Sequence, residues 1–400
     1  MAGWGVAGWL AARTLSRART ELGIGFATQP REQAAPTRAV HGVGGPWVTL
    51  VVGVTRVGHR TVGIRFGNYA AYSGGVATEQ LVIGVDIGGS KLAAGLVDDR
   101  LRIIKRLQRS MRGQDTAALL DTVAGAVAEL VSTAPREVAA VGFGIPSLID
   151  RRSAASLMAV NLPLKDVRFG ALMSERLGLP VFVDNDGNLA ALAEHRAGAG
   201  VGSDHMVLIG LGSGISSGLI LGGELYRGAI GAGAELGHMV IDLNGPPCQG
   251  NCPNHGCFES LASGTALARE ARAAAAAAPD TALGRALRDG RELDGPLVTE
   301  LAYDGDRAAR GVIELIGVRV GVAIANIVNI FNPQLVVVGG GVMGAGEMLL
   351  EPARAELARR ALPPLCKLVR VEAAAFAHEA GMVGAAVLAL DGLAAREVRL

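Results

Sequence analysis

Within Val181–Ala191, VFVDNDGNLAA, four polar residues stand close together: Asp184, Asn185, Asp186 and Asn188. A short apolar run ends in them and a helical pattern begins after them, so they mark a strand-to-helix turn. Asp or Asn at such a turn caps the helix through its free N–H groups, but one residue suffices for a cap. A spare carboxylate can accept the proton of a hydroxyl nucleophile while an amide holds a neighbouring hydroxyl, which is the chemistry of phosphoryl transfer to a sugar. A second segment, AELGHMVIDLNGPPCQGNCPNHGCFESLASG over 234–264, holds three of the four cysteines, Cys248, Cys252 and Cys257. His238 precedes them and His255 lies among them. Three clustered thiols in so long a chain favour a metal over a disulfide scaffold.

Glycine-rich turns supply a third kind of site. LVIGVDIGGSKLAAGLVDD, from Leu81, reads as strand, turn and strand, and MVLIGLGSGISSGLILGGEL repeats the plan. Aligning Gly95 with Gly218 sets Ser90 opposite Ser213. Because the first turn joins two strands, it is neither a Rossmann fingerprint nor a Walker A loop. Gly88 and Gly89 let backbone N–H groups approach phosphate oxygens, Ser90 and Lys91 add a donor and a cation, and Asp86 can hold the water shell of a nucleotide-bound Mg²⁺. Gly212, Ser213 and Gly214 form a matching loop, and Gly339, Gly340 and Gly341 follow a buried strand, where a flat adenosine could approach.

The elements that must position these groups follow from pattern. Two equivalent hairpins predict a duplicated α/β architecture whose halves face one another across a cleft. The spacing predicts helices over Thr116–Ser132, through an Ala-rich region to about Arg288, and from Arg307 to Asn329, with Asn332-Pro333 as a turn. Glu194 and His195 read as the solvated face of the helix after Asp186, and His378 as part of a helix-packing segment. Residues 1–80 mix Gly, Pro, Arg and Val and read as a poorly ordered extension, with one strand-like run, WVTLVVGV, and no helix-turn-helix pattern. Residues 81–195 then form an N-terminal lobe and 196–400 a C-terminal lobe whose last helix packs back on the first.

Half of the 400 residues are apolar, and 38 basic residues balance 37 acidic ones. That leaves no general pull toward nucleic acid or an anionic membrane. No uncharged apolar run reaches the length of about 18 residues that spans a bilayer. A cytoplasmic protein is expected.

From Leu81 to about Leu390 the motifs DIGGSK, GFGIPSLID, VNLP, VDNDGN, LGSGISSG, GAELGH, GCFE and VVVGGG occur in an order that resembles the ROK family of sugar kinases and repressors, of the actin-like ATPase (ribonuclease H-like) superfamily. The resemblance implies two lobes closing on a hexose and ATP with Mg²⁺, and a structural Zn²⁺ beside the sugar. It makes Asp186 the general base and Asn185 its sugar-binding neighbour. Asn161, Glu235, His238 and Glu259 would also face the sugar, and His238, Cys248, Cys252 and Cys257 would hold zinc, with His255 as rival ligand. Serines at 90, 213, 147, 216 and 217 depart from the family's usual residues. The activity implied is hexose 6-phosphorylation, glucose first. N-acetylhexosamine or fructose is the alternative substrate, polyphosphate an alternative donor, and a sugar-responsive repressor the alternative class. A homodimer is implied on the same footing.

Overall fold

The structure is a computed structural model and describes residues 54–57, 60–64, 80–159 and 162–397. The chain divides into two units, Met1–Gly75 and Val76–Leu400. In the first, β1 (Val54–Val57) and β2 (Arg60–Ile64) pair as an antiparallel hairpin. Apart from Gln80, the rest of the 1–80 extension lies outside the described residues.

The second unit builds the same five-stranded sheet twice. In the first lobe β3 (Leu81–Ile87), β4 (Lys91–Asp98) and β5 (Ile103–Ser110) form an antiparallel meander. Helix α1 (Thr116–Ser132) leads to β6 (Val138–Ile145), the hairpin β7 (Ser147–Asp150) and β8 (Ala155–Ala159), α2 (Phe169–Leu177) and β9 (Val181–Asn185). The sheet order is β5-β4-β3-β6-β9, with β6 and β9 parallel to β3. Helix α3 (Asp186–Ala197) carries the chain to the second lobe, where β10 (His205–Leu211), β11 (Ile215–Leu221) and β12 (Glu224–Tyr226) form another meander. There follow α4 (Phe258–Ala262), α5 (Gly264–Ala277), α6 (Ala282–Arg288), α7 (Gly295–Tyr303) and α8 (Arg307–Phe331). Strand β13 (Leu335–Gly339), α9 (Glu347–Arg360), α10 (Leu365–Leu368), β14 (Arg370–Ala373) and α11 (Ala380–Glu397) complete the unit. The order β12-β11-β10-β13-β14 repeats that of the first lobe. Gly84 pairs with Gly95 and Leu208 with Gly218, so the expected equivalence of Gly95 and Gly218 holds in register. The turns differ by one residue: Gly88–Lys91 lies between the paired Ile87 and Leu92, and Gly212–Gly214 between Leu211 and Ile215.

Local chemistry explains the ends of the long helices. Asp115 caps α1 by accepting from the Ala118 N–H, and Leu119, Val123, Val127 and Leu130 bury one face at helical spacing. Asp306 caps α8 in the same way, and Asn332 ends it in the left-handed region at φ 45°. Among the described residues α8 alone is long and apolar enough to cross a membrane. Its Val312, Ile316, Val320, Ile324 and Ile327 are instead buried in the core of the second lobe.

Two connecting helices cross between the lobes. Helix α11 lies on the first sheet, where Gly84 and Gly142 bring strand backbone against Met382 and Ala385. Helix α3 lies on β11 of the second sheet. A Cβ on Gly384 would stand 1.8 Å from the Leu189 carbonyl oxygen, and one on Gly187 would stand 2.5 Å from that of Ser217, so these helices meet their neighbours backbone to backbone. Glu194 is fully buried, not on a solvated face. One of its oxygens accepts from the N–H groups of Ala199 at 2.9 Å and Ala375 at 3.0 Å, the other from Phe376 at 2.8 Å. It thereby pins the end of α3 to the segment ahead of α11, a partner no local pattern reveals.

Candidate active site and metal centre

The turn from β9 to α3 resolves the question its sequence poses. Asn185 is the cap: its Oδ1 accepts from Gly187 N–H at 2.9 Å and Asn188 N–H at 3.3 Å, and its Nδ2 donates to the Ser147 carbonyl at 3.2 Å. One amide hydrogen is left for a ligand. Asp184 is buried and accepts from Asn185 N–H and from the Asn188 amide, each at 2.8 Å. Asp186 is thus spared from capping, and its desolvation lifts its carboxyl above the usual carboxylate range, against backbone N–H donors that lower it. A general base works best with a pKa raised toward the operating pH.

Asp86 leaves β3 just before the first glycine turn. Desolvation first, and then the Asp186 charge, push its carboxyl up to about 7, while Lys91 pulls the other way. The turn is closed by Gly88 N–H on the Lys91 carbonyl at 2.9 Å, and Gly89, Ser90 and Lys91 are exposed. A pocket of about 420 Å³ opens beside it, lined by Asp86, Gly88, Lys91, Gln108 and His378 among others. His378 is exposed there, in the 3₁₀ turn before α11, and is no core-packing residue. The second loop closes through Gly212 N–H on the Gly214 carbonyl at 2.9 Å, and Gly340, at φ 87°, packs against the Leu211 backbone beneath it.

Glu235 is exposed, yet the protein around it raises its pKa by desolvation, and Asp186 and Glu259 add to the rise while His238 opposes it. The structure therefore brings Asp186, Glu235, His238 and Glu259 into one neighbourhood. Ser217 fixes the E-L-G-H turn, donating to the Ala234 carbonyl and accepting from Leu236 N–H at 3.2 Å. One oxygen of Glu259 accepts from Ile215 N–H at 2.7 Å, just past the second loop, and the other faces Cys248 Sγ at 4.0 Å. Asn161 lies outside the described residues.

The donor atoms of His238, Cys248, Cys252 and Cys257 all lie within 4.8 Å of one another. His255 is exposed and not in this group; it forms a backbone bridge with Pro247. Cys252 and Cys257 sulfurs are 3.9 Å apart, and Cys248 Sγ is 3.5 Å from His238 Nδ1. A tetrahedral zinc with Zn–S of about 2.3 Å and Zn–N of about 2.0–2.1 Å has S···S and S···N edges of about 3.8 and about 3.5 Å. The four residues fit that ion. Burial, then the neighbouring thiols, push the Cys248 thiol up, so a cation is what would make the cluster favourable as thiolates.

The raised Asp86 carboxyl has a consequence for stability. Its folded pKa exceeds its unfolded one, so the folded state binds the proton more tightly and loses stability as pH rises from about 4 through about 7. Ligand-free Asp86→Asn protein should melt above wild type at pH 8, by a few kcal/mol at most, and converge with it near pH 4. A lower melting temperature at pH 8 would contradict this reading.

The ROK family model matches residues 82–392. The chain is 33% identical over 307 residues to the glucokinase of Thermotoga maritima, covering 76% of this chain and 96% of that one. It is 31% identical over 320 residues to a putative xylose repressor of a Caldicellulosiruptor species, covering 79% of each. Among solved structures it superposes on a ROK family glucokinase from Streptomyces griseus in complex with glucose and AMPPNP, with TM-score 0.71 and 36% identity over 78% of this chain and 99% of that one. These neighbours share the two-lobed actin-like ATPase fold. With the match running from β3 to α11 through both lobes, the chain belongs to the ROK family.

Proposed function

We propose that this ROK-family sugar kinase transfers the γ-phosphoryl group of ATP to the C6 hydroxyl of a hexose, glucose first. The observation that carries the reading is Asp186, a desolvated carboxylate spared from capping, grouped with Glu235, His238 and Glu259 and close to Asp86 of the first glycine turn. Asp186 accepts the hydroxyl proton and aims the oxygen, and Asn185, Glu235, His238 and Glu259 hold the other hydroxyls. Backbone N–H groups of Gly89 and Ser90 and of Ser213 and Gly214 take the phosphates, the Gly88 and Gly212 N–H groups being used to close the turns, with Lys91 adding positive charge. Mg²⁺, held through its waters by Asp86, would neutralise phosphate charge when bound. Zinc on His238 and the three cysteines would order the sugar-side loop, since a closed Cys₃His set leaves no open position. His238 would then offer its second ring nitrogen to the sugar.

Glucokinases among the relatives favour glucose as substrate, and the AMPPNP in the Streptomyces griseus complex favours ATP as donor. The test is a coupled phosphorylation assay across a panel of hexoses and N-acetylhexosamines with ATP and polyphosphate. The expected result is the highest kcat/KM for glucose with ATP. Sugar binding without turnover on any of them would favour the repressor-like reading instead.

A further inference from the structure

Arg227, which none of the roles above uses, reaches the base-bearing turn from the opposite lobe. It follows β12 directly and donates from Nε to Asp184 Oδ2 at 2.6 Å, with its side chain 18% exposed and that of Asp184 6%. The other Asp184 oxygen holds Asn185 N–H and the Asn188 amide. One carboxylate therefore ties the guanidinium to residues on both sides of Asp186. Beyond Arg227 the chain runs as a strap to the first lobe. The Ile230 carbonyl accepts from Arg151 N–H at 3.1 Å in the β7–β8 turn, and Gly231, at φ 107°, lies against the Ile149 carbonyl. The strap returns through Gly233 N–H on the Arg227 carbonyl at 2.9 Å and leads into Glu235.

A largely buried ion pair contributes little net stability, because desolvation offsets the attraction, and an apolar pair would serve a core as well. What it supplies is geometry, since the planar guanidinium accepts few orientations. The other half of the fold has a counterpart: Arg106 of β5 pairs at 2.6 Å with Glu379, just ahead of α11. That pair is far more exposed, with side chains 60% and 27% accessible, where an ion pair counts for little.

We propose that Arg227 is a positioning residue that latches the second lobe to the first at the sugar end of the cleft, setting Asp186 and Glu235 in register through Asp184. This rests on the kinase reading for its catalytic consequence, but not for the latch itself. Arg227→Met should lower kcat by about 10²-fold, the scale of a misplacement of about 1 Å. The same change should raise the glucose KM and leave the ATP KM nearly unchanged. Arg227→Lys, which keeps the charge without the fork, should recover only part of the loss. If Arg227→Met fails to fold because Asp184 is left unpaired, the double variant Asp184→Asn/Arg227→Met removes both charges and should fold while keeping the turnover loss. Hydrogen exchange on the full chain is the second readout: amides of 147–152 and 227–235 should exchange faster in the variants, with α8 unchanged. Wild-type turnover in Arg227→Met or in the double variant would overturn the proposal, as would unchanged exchange in the strap or uniform acceleration through both lobes. If the wild-type chain phosphorylates no sugar, the kinase reading falls and the exchange result alone decides the latch.

Discussion

Asp186→Asn should lower kcat for glucose by about 10²–10⁴-fold, the usual contribution of a general base, while glucose still binds. The amide keeps the size of the carboxylate and one acceptor oxygen, but it cannot take the hydroxyl proton. Folding should survive the change, because the cap of α3 belongs to Asn185, whose Oδ1 holds the N–H groups of Gly187 and Asn188. Removing the carboxylate also removes a charge that desolvation penalises, so the variant should be no less stable than wild type at neutral pH. Steady-state kinetics with glucose titration calorimetry separate the two effects. A variant retaining more than about a tenth of wild-type turnover would identify another group as the base, and lost glucose binding would show that Asp186 holds the sugar in the ground state.

What the sequence made legible was what repeats or is local. The two hairpins could be aligned residue by residue because strand alternation and glycine turns sit in one stretch of chain, and the helix over Thr116–Ser132 has the bounds its pattern indicates. The thiol cluster was legible because three cysteines stand within ten residues, while His238 as the fourth candidate ligand came from the family resemblance, and the structure separates His238 from His255 by placing one among the thiols and the other at the surface. What escaped were pairings between distant segments. Asp184 reads as a spare polar group until Arg227 arrives from β12, and Glu194 reads as surface until the chain after β14 folds over it. A buried carboxylate and a solvated one look alike in sequence, since the partner N–H groups belong to backbone and leave no residue signature. Asn185 shows the converse: local cap chemistry was readable, but which of the polar residues would use it was settled only by the geometry of the turn.

Loss of the metal from the cysteine cluster should weaken sugar turnover far more than ATP binding. The segment between Gly245 and Gly256 is fastened by few links, among them Cys248 N–H on the Asn254 carbonyl at 2.9 Å and Gly256 N–H on the Pro246 carbonyl at 2.8 Å. Leu243 nearby is 87% exposed, so apolar packing does little to hold this loop, and ligation would supply the order as it does in small zinc modules. Three of the proposed sugar-side groups would depend on it: His238 would be a ligand, Glu235 begins the same 3₁₀ turn, and Glu259 follows Cys257 in α4. One of these also touches the phosphate side, since Glu259 holds Ile215 N–H beside the second loop. A modest effect on ATP is therefore expected, smaller than that on glucose because, among the described residues, neither the first loop nor Gly339–Gly341 is hydrogen-bonded to the cluster. Metal analysis should find one zinc per chain, and free alkylation of Cys248, Cys252 and Cys257 in metal-free protein as purified would refute the site. Cys252→Ser, or chelation of the wild type, should then raise the glucose KM and lower kcat, with ATP affinity measured separately changing less. Equal losses for both ligands would mean that the second lobe unfolds as a whole, and the local coupling from cluster to sugar would be wrong.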